Sequence, residues 1–318
     1  MNIAYFGTPE ISAELLKEII ESSLSIKLVI TQPDKPVGKR LASTSTPVKL
    51  CAEKYSIPVI DTELRGDSMN ALIKQLNEHT IDLCLLFAYG KLISKTLLQS
   101  PKYGFWNVHP SLLPAYRGAA PTIYPLLLGE NATGVTLMQM NENLDEGDVL
   151  LQDTIEILPH ERRPELEEKL VRCAARQIIQ AVSTDRALLP QTPQSSTGTS
   201  YTRRISKRDG FVELDFLKIG VAGTQLGTGS IPPVFSSFYA QNHAGADQDM
   251  SPAQMIYNMF RAFDPWPGVW TEIVIGKSSK RLKLSDMSLK DGHIDISRVQ
   301  LEGKSVVPFK TFVEAYSF

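Results

Sequence analysis

A chain of 318 residues is long for one hydrophobic core, which leads to an expectation of two domains. With 42% hydrophobic and 21% charged residues, the composition excludes a disordered or fibrous chain. A formal net charge of −2 excludes global attraction to nucleic acid or to an acidic membrane, so any such contact must come from a local patch.

Cys51, Cys84 and Cys173 lie far apart in apolar or helix-like contexts, as expected of reduced core thiols in a cytoplasmic protein. No apolar run reaches transmembrane length. The chain opens directly on a strand pattern, so neither a signal peptide nor a membrane anchor is expected.

Residues 2–6 form a short apolar strand that stops at Gly7-Thr8-Pro9, after which Ile11, Leu15, Leu16, Ile19 and Ile20 recur at helical spacing. Residues 26–31 and 82–88 supply further strands, the latter after a helical segment at 68–78. This alternation predicts a parallel sheet covered on both faces, with ligands beyond the carboxyl ends of its strands. Residues 7–9, 31–38, 89–91, 107–114 and 139–148 are placed at those ends. A dinucleotide site is not expected, because Gly7 stands alone, with Pro9 and Glu10 where further glycines would admit a pyrophosphate.

The loop at 32–49 is long for a βα connection. It carries Lys35, Lys39, Arg40 and Lys49 against only Asp34, and reads either as a solvated loop or as a phosphate-contacting arm.

The most informative stretch is Phe105-Trp106-Asn107-Val108-His109-Pro110-Ser111-Leu112-Leu113-Pro114. It reads as a buried strand broken by two prolines. Side chains alternate along a strand, so Asn107 and His109 share one face, which offers an amide and a titratable imidazole together. A lone histidine there is more often a satisfied core group. The paired asparagine and the double-proline loop favour function.

Residues 133–140 form another strand, followed by a loop with four carboxylates, Glu142, Asp145, Glu146 and Asp148. Like charges this close repel, so some must be solvated or act as caps. An amphipathic helix at 165–182, with Leu166, Leu170, Cys173, Ile178 and Val182 on its apolar face, closes the first domain. Residues 189–200, rich in Pro, Gln, Ser and Thr, read as an interdomain linker.

Beyond it lie a strand pattern at 211–216, a helix at 253–263, the stop Asp264-Pro265-Trp266-Pro267-Gly268, and strands at 269–275, 281–284 and 293–300. Short strands with turns suggest a small β-barrel of the OB type. Residues 218–249 are small and polar around one apolar island at 231–239, and read as an insertion without committed structure. The expected organisation is an α/β catalytic domain over 1–188, a linker over 189–206, and an OB-like domain over 207–318 with an insertion near 218–250.

With these residues on the page, the chain resembles the methionyl-tRNA formyltransferases. The markers are Phe6-Gly7-Thr8-Pro9-Glu10, Gln32-Pro33-Asp34-Lys35-Pro36-Val37-Gly38, Ala88-Tyr89-Gly90-Lys91, Asn107 through Pro114, Leu144-Asp145-Glu146-Gly147-Asp148 and Arg261 through Gly268. The resemblance implies a Rossmann-like formyltransferase domain followed by an OB-like domain. It also implies formyl transfer from 10-formyltetrahydrofolate to initiator methionyl-tRNA, in the cytoplasm, by a monomer with no metal and no obligate protein partner.

The resemblance further implies a catalytic trio of Asn107, His109 and Asp145, and residue chemistry agrees. Attack of an amine on a formamide carbon develops an oxyanion, which the Asn107 amide and a protonated His109 can meet. Asp145 would hold the imidazolium or relay the proton from the attacked nitrogen to the leaving nitrogen. Ser111, Leu112, Leu113 and Pro114 are expected to line the folate site, with backbone around Phe87, Tyr89, Gly90 and Leu92 and around Met140 and Leu144 holding the pterin.

For the tRNA, Lys35, Lys39, Arg40, Lys49, Arg204 and Lys207 are the leading phosphate contacts, with Arg203, Arg208, Lys277, Lys280, Arg281 and Lys283 beside them. Ala115, the sparse Gly38-Lys39-Arg40-Leu41 run and the insertion after Phe216 depart from the family pattern. One rival is a sugar-nucleotide N-formyltransferase using the same donor, which leaves the basic loop unexplained. Another is an idle RNA-binding or folate-sensing protein, which leaves the intact trio unexplained.

Overall fold

The structure is a computed structural model that describes residues 1–37, 42–224, 231–242 and 250–316. In chain order the first half forms β1 (Ile3–Gly7), α1 (Glu10–Glu21), β2 (Ile26–Ile30), β3 (Lys35–Val37), β4 (Ala42–Thr44), α2 (Pro47–Lys54), β5 (Val59–Ile60), α3 (Asp67–Glu78), β6 (Leu83–Phe87), α4 (Lys95–Leu98) and β7 (Phe105–His109). There follow β8 (Arg117–Gly118), α5 (Tyr124–Leu127), β9 (Ala132–Gln139), β10 (Val149–Glu156) and α6 (Arg163–Ser183). The remainder forms β11 (Tyr201–Thr202), α7 (Leu214–Ala222), α8 (Pro233–Asn242), α9 (Pro252–Ala262), β12 (Val269–Ile275), β13 (Ser278–Lys290), β14 (His293–Leu301), β15 (Val306–Pro308) and α10 (Phe309–Tyr316).

The chain divides into two compact units. One comprises residues 1–117, 133–155 and 167–199, the other 118–132, 156–166 and 200–318. The second thus takes two segments that interrupt the first in sequence. Asn258 Nδ2 donates to the Leu127 carbonyl and Arg261 Nη1 to the Pro159 carbonyl, so α9 satisfies backbone acceptors of both segments.

The first unit is built on a seven-stranded sheet ordered β10-β9-β7-β6-β1-β2-β5. Strands β1, β6 and β7 are buried at every residue, as a sheet covered on both faces requires. Ala4, Phe6, Leu28, Ile30 and Phe105 pack on one face against Leu72 and Leu76 of α3 and Leu97 and Leu98 of α4. Each large side chain so buried contributes about 1.5–3 kcal/mol. Helix starts follow local chemistry: Thr46 caps α2, with Pro47 as its first residue, and Ser94 caps α4.

The expected parallel sheet is present and carries an antiparallel strand on one side. β5, β2, β1, β6 and β7 run parallel, whereas β9 runs antiparallel to β7, with Trp106 opposite Gln139 and His109 opposite Thr136. The carboxyl end of β9 therefore lies beside the amino end of β7. An apolar eight-residue run carries no mark of its partner's direction.

The second unit holds a four-stranded antiparallel sheet ordered β12-β13-β14-β15, on which α7, α9 and α10 pack. Two expectations fail here. Residues 211–216 are not a strand: Phe211 makes a single bridge to Trp270, and α7 starts at Leu214. Its buried Phe216, Leu217 and Gly220 follow helical spacing, and a Cβ at Gly220 would stand 2.6 Å from Ile256 Cδ1, so glycine allows α7 close to α9.

The segment read as lacking committed structure contains α8. Its Val234, Phe235, Phe238 and Tyr239 are buried at i, i+1, i+4 and i+5, with the Phe238 ring 4.9 Å from that of Tyr124. Polar flanks masked this short helical period. Residues 225–230 and 243–249 lie outside the described residues.

Candidate active site

Strand β7 delivers Asn107 and His109 into the interior at 6% and 4% exposure. A buried polar group needs a partner. His109 Nε2 lies 3.0 Å from the Tyr116 carbonyl oxygen. A carbonyl only accepts, so Nε2 carries the hydrogen and Nδ1 is the ring atom left to exchange a proton. Asp145 Oδ1 faces Nδ1 at 3.8 Å, itself buried. That separation is longer than a hydrogen bond. The Asn107 amide makes no side-chain hydrogen bond among the described residues.

Asp145 arrives on the loop after β9. The loop is closed at its base by Gln139 N donating to the Asp148 carbonyl, and Met140 N donates to the Phe105 carbonyl. Gly147 lies against that base, and a Cβ there would fall 1.7 Å from Gln139 O. Three of the four carboxylates sort by partner. Glu142 pairs with Lys95 on the surface, Glu146 with the buried Arg117 at 2.8 Å, and Asp145 faces His109.

The residues expected around the folate divide. Tyr89, Gly90 and Leu92 line a cleft of about 410 Å3, together with Gln32, Pro33 and residues 62–65. The Tyr89 carbonyl accepts from Gln32 Nε2 at 2.6 Å and from Thr8 Oγ1 at 3.1 Å, which fixes one wall. Burial pushes the Tyr89 phenol up to about 12, so it remains a hydroxyl. Gly90 has φ of 77°, and a Cβ there would stand 2.8 Å from Gln32 Nε2. The trio does not line this cleft.

Phe87 and Met140 belong to the packed interior, and Leu144 is exposed. Ser111 is fully buried and donates to the Ala115 carbonyl. Leu113 is pinned from both sides, its amide by Thr136 Oγ1 and its carbonyl by Gln152 Nε2. Leu112 packs near Gly134. Ser111, Leu112, Leu113 and the cis-linked Pro114 thus hold the loop beyond His109 in shape.

The basic residues are equally divided. Lys39 and Arg40 lie outside the described residues, and Lys35 is in β3, described only in its backbone. Lys49 is held by Asp61 at 2.6 Å and Asp34 at 3.0 Å, and the hydrogen bonds it donates to these two carboxylates raise the ammonium well above the usual lysine value. Its charge is already compensated. In the second unit Arg204 and Lys207 are exposed, while Arg203 is paired with Asp209. The Trp270 indole donates to the Lys207 backbone carbonyl, and the Arg281 guanidinium lies 4.3 Å over its ring, so one cation covers the aromatic face.

Sequence reasoning assigned no role to Tyr116, Arg117 or Gln194. Gln194 sits in the stretch read as a linker. That stretch is tied down: Thr192 exchanges both backbone hydrogen bonds with Val149, and Gln194 Nε2 donates to the Asp145 and Gly147 carbonyls. A lone glutamine among Ser, Thr and Pro carries no periodic signal.

Among the described residues no group of three or more His, Cys, Asp or Glu is placed to hold a metal ion, and no described helix is long and apolar enough to cross a membrane.

Residues 1–182 match the family model described as formyl transferase, and residues 250–293 match that of the formyl transferase C-terminal domain. A methionyl-tRNA formyltransferase of Caldicellulosiruptor saccharolyticus is 34% identical over 99% of this chain and 97% of its own length. One from Deinococcus radiodurans is 34% identical over 91% and 78%. Among solved structures, an N-formyltransferase from Helicobacter canadensis in complex with folinic acid and dTDP-3-aminofucose aligns with a TM-score of 0.54, 16% identity and coverage of 96% and 98%, a likeness of fold. The chain belongs to the methionyl-tRNA formyltransferases of the formyl transferase family.

Proposed function

We propose that the chain transfers the formyl group of 10-formyltetrahydrofolate to the free α-amino group of methionyl-tRNA, the initiator species, in the cytoplasm and without a metal. The observation that carries the reading is the buried Asn107 amide, which has no protein hydrogen-bond partner among the described residues, beside an imidazole held through Nε2. A donor left without a protein partner at the edge of the interior is open to an acceptor that arrives with substrate.

The folate donor supplies an activated formamide carbon. An α-amino group has an ordinary pKa of about 7.7–8.0, so much of the acceptor is a free amine near neutrality. Asn107 donates to the oxyanion that develops on attack. His109 takes the proton of the attacked nitrogen through Nδ1 and returns it to the folate nitrogen as the bond from that nitrogen to the formyl carbon breaks, releasing tetrahydrofolate, while Asp145 offsets the charge on the ring. The Tyr89–Leu92 side of the cleft holds the pterin against backbone.

Catalysis is assigned to residues 1–188 and tRNA binding to residues 207–318, connected through 189–206. Arg281, which lies over the Trp270 ring, and the exposed Arg204 and Lys207 are the cations of the second unit proposed to meet phosphate, and Lys35, Lys39 and Arg40 are the further candidates of the first.

The test is transfer of labelled formyl from 10-formyltetrahydrofolate to methionine on initiator tRNA, run beside methionine on elongator tRNA and an amino-sugar nucleotide. Salt-sensitive labelling of the initiator species, abolished by Asp145→Ala, is expected. Label only on the sugar, or on none of the three, overturns the reading.

A further inference from the structure

Tyr116 approaches the ring nitrogens of His109 through its carbonyl and Asp145 through its carboxylate. Both have left-handed backbones, with φ of 61° and 54°. Residues with a Cβ keep that conformation only where their surroundings over-determine it.

Each is followed directly by a member of one polar cluster. Arg117 follows Tyr116, Glu146 follows Asp145, and the two are joined by Arg117 Nη1 and Glu146 Oε1 at 2.8 Å. Gln194 completes the cluster. Its Oε1 accepts from Arg117 Nε at 3.2 Å and Nη2 at 2.7 Å, and its Nε2 donates to the Asp145 carbonyl at 2.8 Å and the Gly147 carbonyl at 2.9 Å.

Only one orientation of the amide satisfies both ends, because a guanidinium only donates and a carbonyl only accepts. Both ends of Gln194 are therefore used, and neither a carboxylate nor an apolar side chain could replace it. The backbone bonds between Thr192 and Val149 anchor the segment that carries it.

We infer that Gln194, acting with Arg117, is a positioning residue for formyl transfer: it clamps together the two loops that carry the partners of His109 and so sets the direction from which Asp145 faces Nδ1. The activity part of this inference rests on the function proposed above. Gln194 touches no reacting atom in this scheme, and its effect passes through Asp145.

The test combines kinetics with the imidazole signals of His109, read by 15N NMR on the full chain without substrate. In Gln194→Ala, kcat is expected to fall about 10- to 100-fold, the consequence of a misplacement on the order of 1 Å, while KM for either substrate changes by less than about twofold. Gln194→Glu should not rescue, since it keeps the acceptor and loses the donors.

Added to Asp145→Ala, the Gln194→Ala change should cost less than about a further twofold, as residues acting through one group are not additive. The His109 Nε2–H signal should shift or broaden in the Gln194 variants. It should stay at its wild-type position in Gln191→Ala, a neighbouring exposed glutamine.

Wild-type kcat with unmoved imidazole signals, a rise confined to KM, or fully multiplicative losses with Asp145→Ala each overturns the inference. Should Gln194→Ala fail to fold, Gln194→Met, which preserves volume and removes both polar ends, decides in the same way. Should the wild-type chain transfer no formyl group, the functional reading fails by itself. The imidazole signals then judge the clamp alone: moved in the Gln194 variants they sustain it, unmoved they overturn it.

Discussion

Nε2 of His109 lies 3.0 Å from the Tyr116 carbonyl oxygen, and this contact turns the ring so that Nδ1 is the nitrogen that meets Asp145. The imidazole therefore has a fixed structural side and a side free for proton exchange. Asn107, two residues earlier on the same strand face, adds an unengaged amide. An orienting bond, a facing carboxylate and a free donor are what the proposed acyl transfer requires of the protein.

Asn107→Ala is expected to lower kcat by about 10²–10³, the loss typical of removing one oxyanion donor. KM should move little. Single-turnover transfer rates check this, and a variant within about threefold of wild type would remove Asn107 from the chemistry.

The salt dependence of tRNA binding separates the lysines. Each phosphate contact contributes roughly 0.7–0.9 to the slope of log affinity against log salt. Arg204→Ala and Lys207→Ala should each flatten the slope by about that amount. Lys49→Ala should leave it unchanged, because Asp34 and Asp61 already hold that ammonium. A flattened slope in Lys49→Ala would return this residue to the set of phosphate contacts.

Asp209 supplies a pH dependence. Burial alone would raise its carboxyl, but hydrogen bonds from Arg203 and from the backbone and hydroxyl of Ser206 outweigh burial and hold it below the ordinary 3.8. A depressed folded value stabilises the fold above the unfolded pKa and is lost as pH falls through the folded value. Asp209→Asn should therefore cost about 2–3 kcal/mol at pH 7, near the low end for a buried pair because Arg203 is about one-third exposed. The gap should narrow below about pH 4. Denaturant unfolding at pH 7 and pH 3 measures it, and an equal gap at both would refute the ion-pair account.

Gly147→Ala places a methyl 1.7 Å from the Gln139 backbone oxygen, a clash that only backbone movement relieves. Overpacking of this kind destabilises by about 1–3 kcal/mol. It should also displace the neighbouring Asp145, so activity should fall further than stability. Thermal unfolding and turnover measured together test this, and unchanged values for both would show that the loop base yields easily.

Local patterns predicted much of the fold. Strand β12 spans the predicted residues 269–275, and α9 starts on the Ser251-Pro252 cap within a residue of its expected position. Strand β7 likewise carries Asn107 and His109 as alternation predicts. Alternation, helical spacing, proline breaks and caps act within a few residues, so a linear reading captures them.

Contacts between distant segments depended on the tertiary structure. It set the direction of β9 against β7, the compensation of Lys49 by Asp61, and the packing of α8 through Phe235 and Phe238. It also took Gln194 from an unpatterned polar stretch and seated it between Arg117 and the Asp145 loop. Strand direction and hydrogen-bond partners are settled by pairing across long sequence separations, and a residue's type states what it can donate or accept without naming which group it will meet.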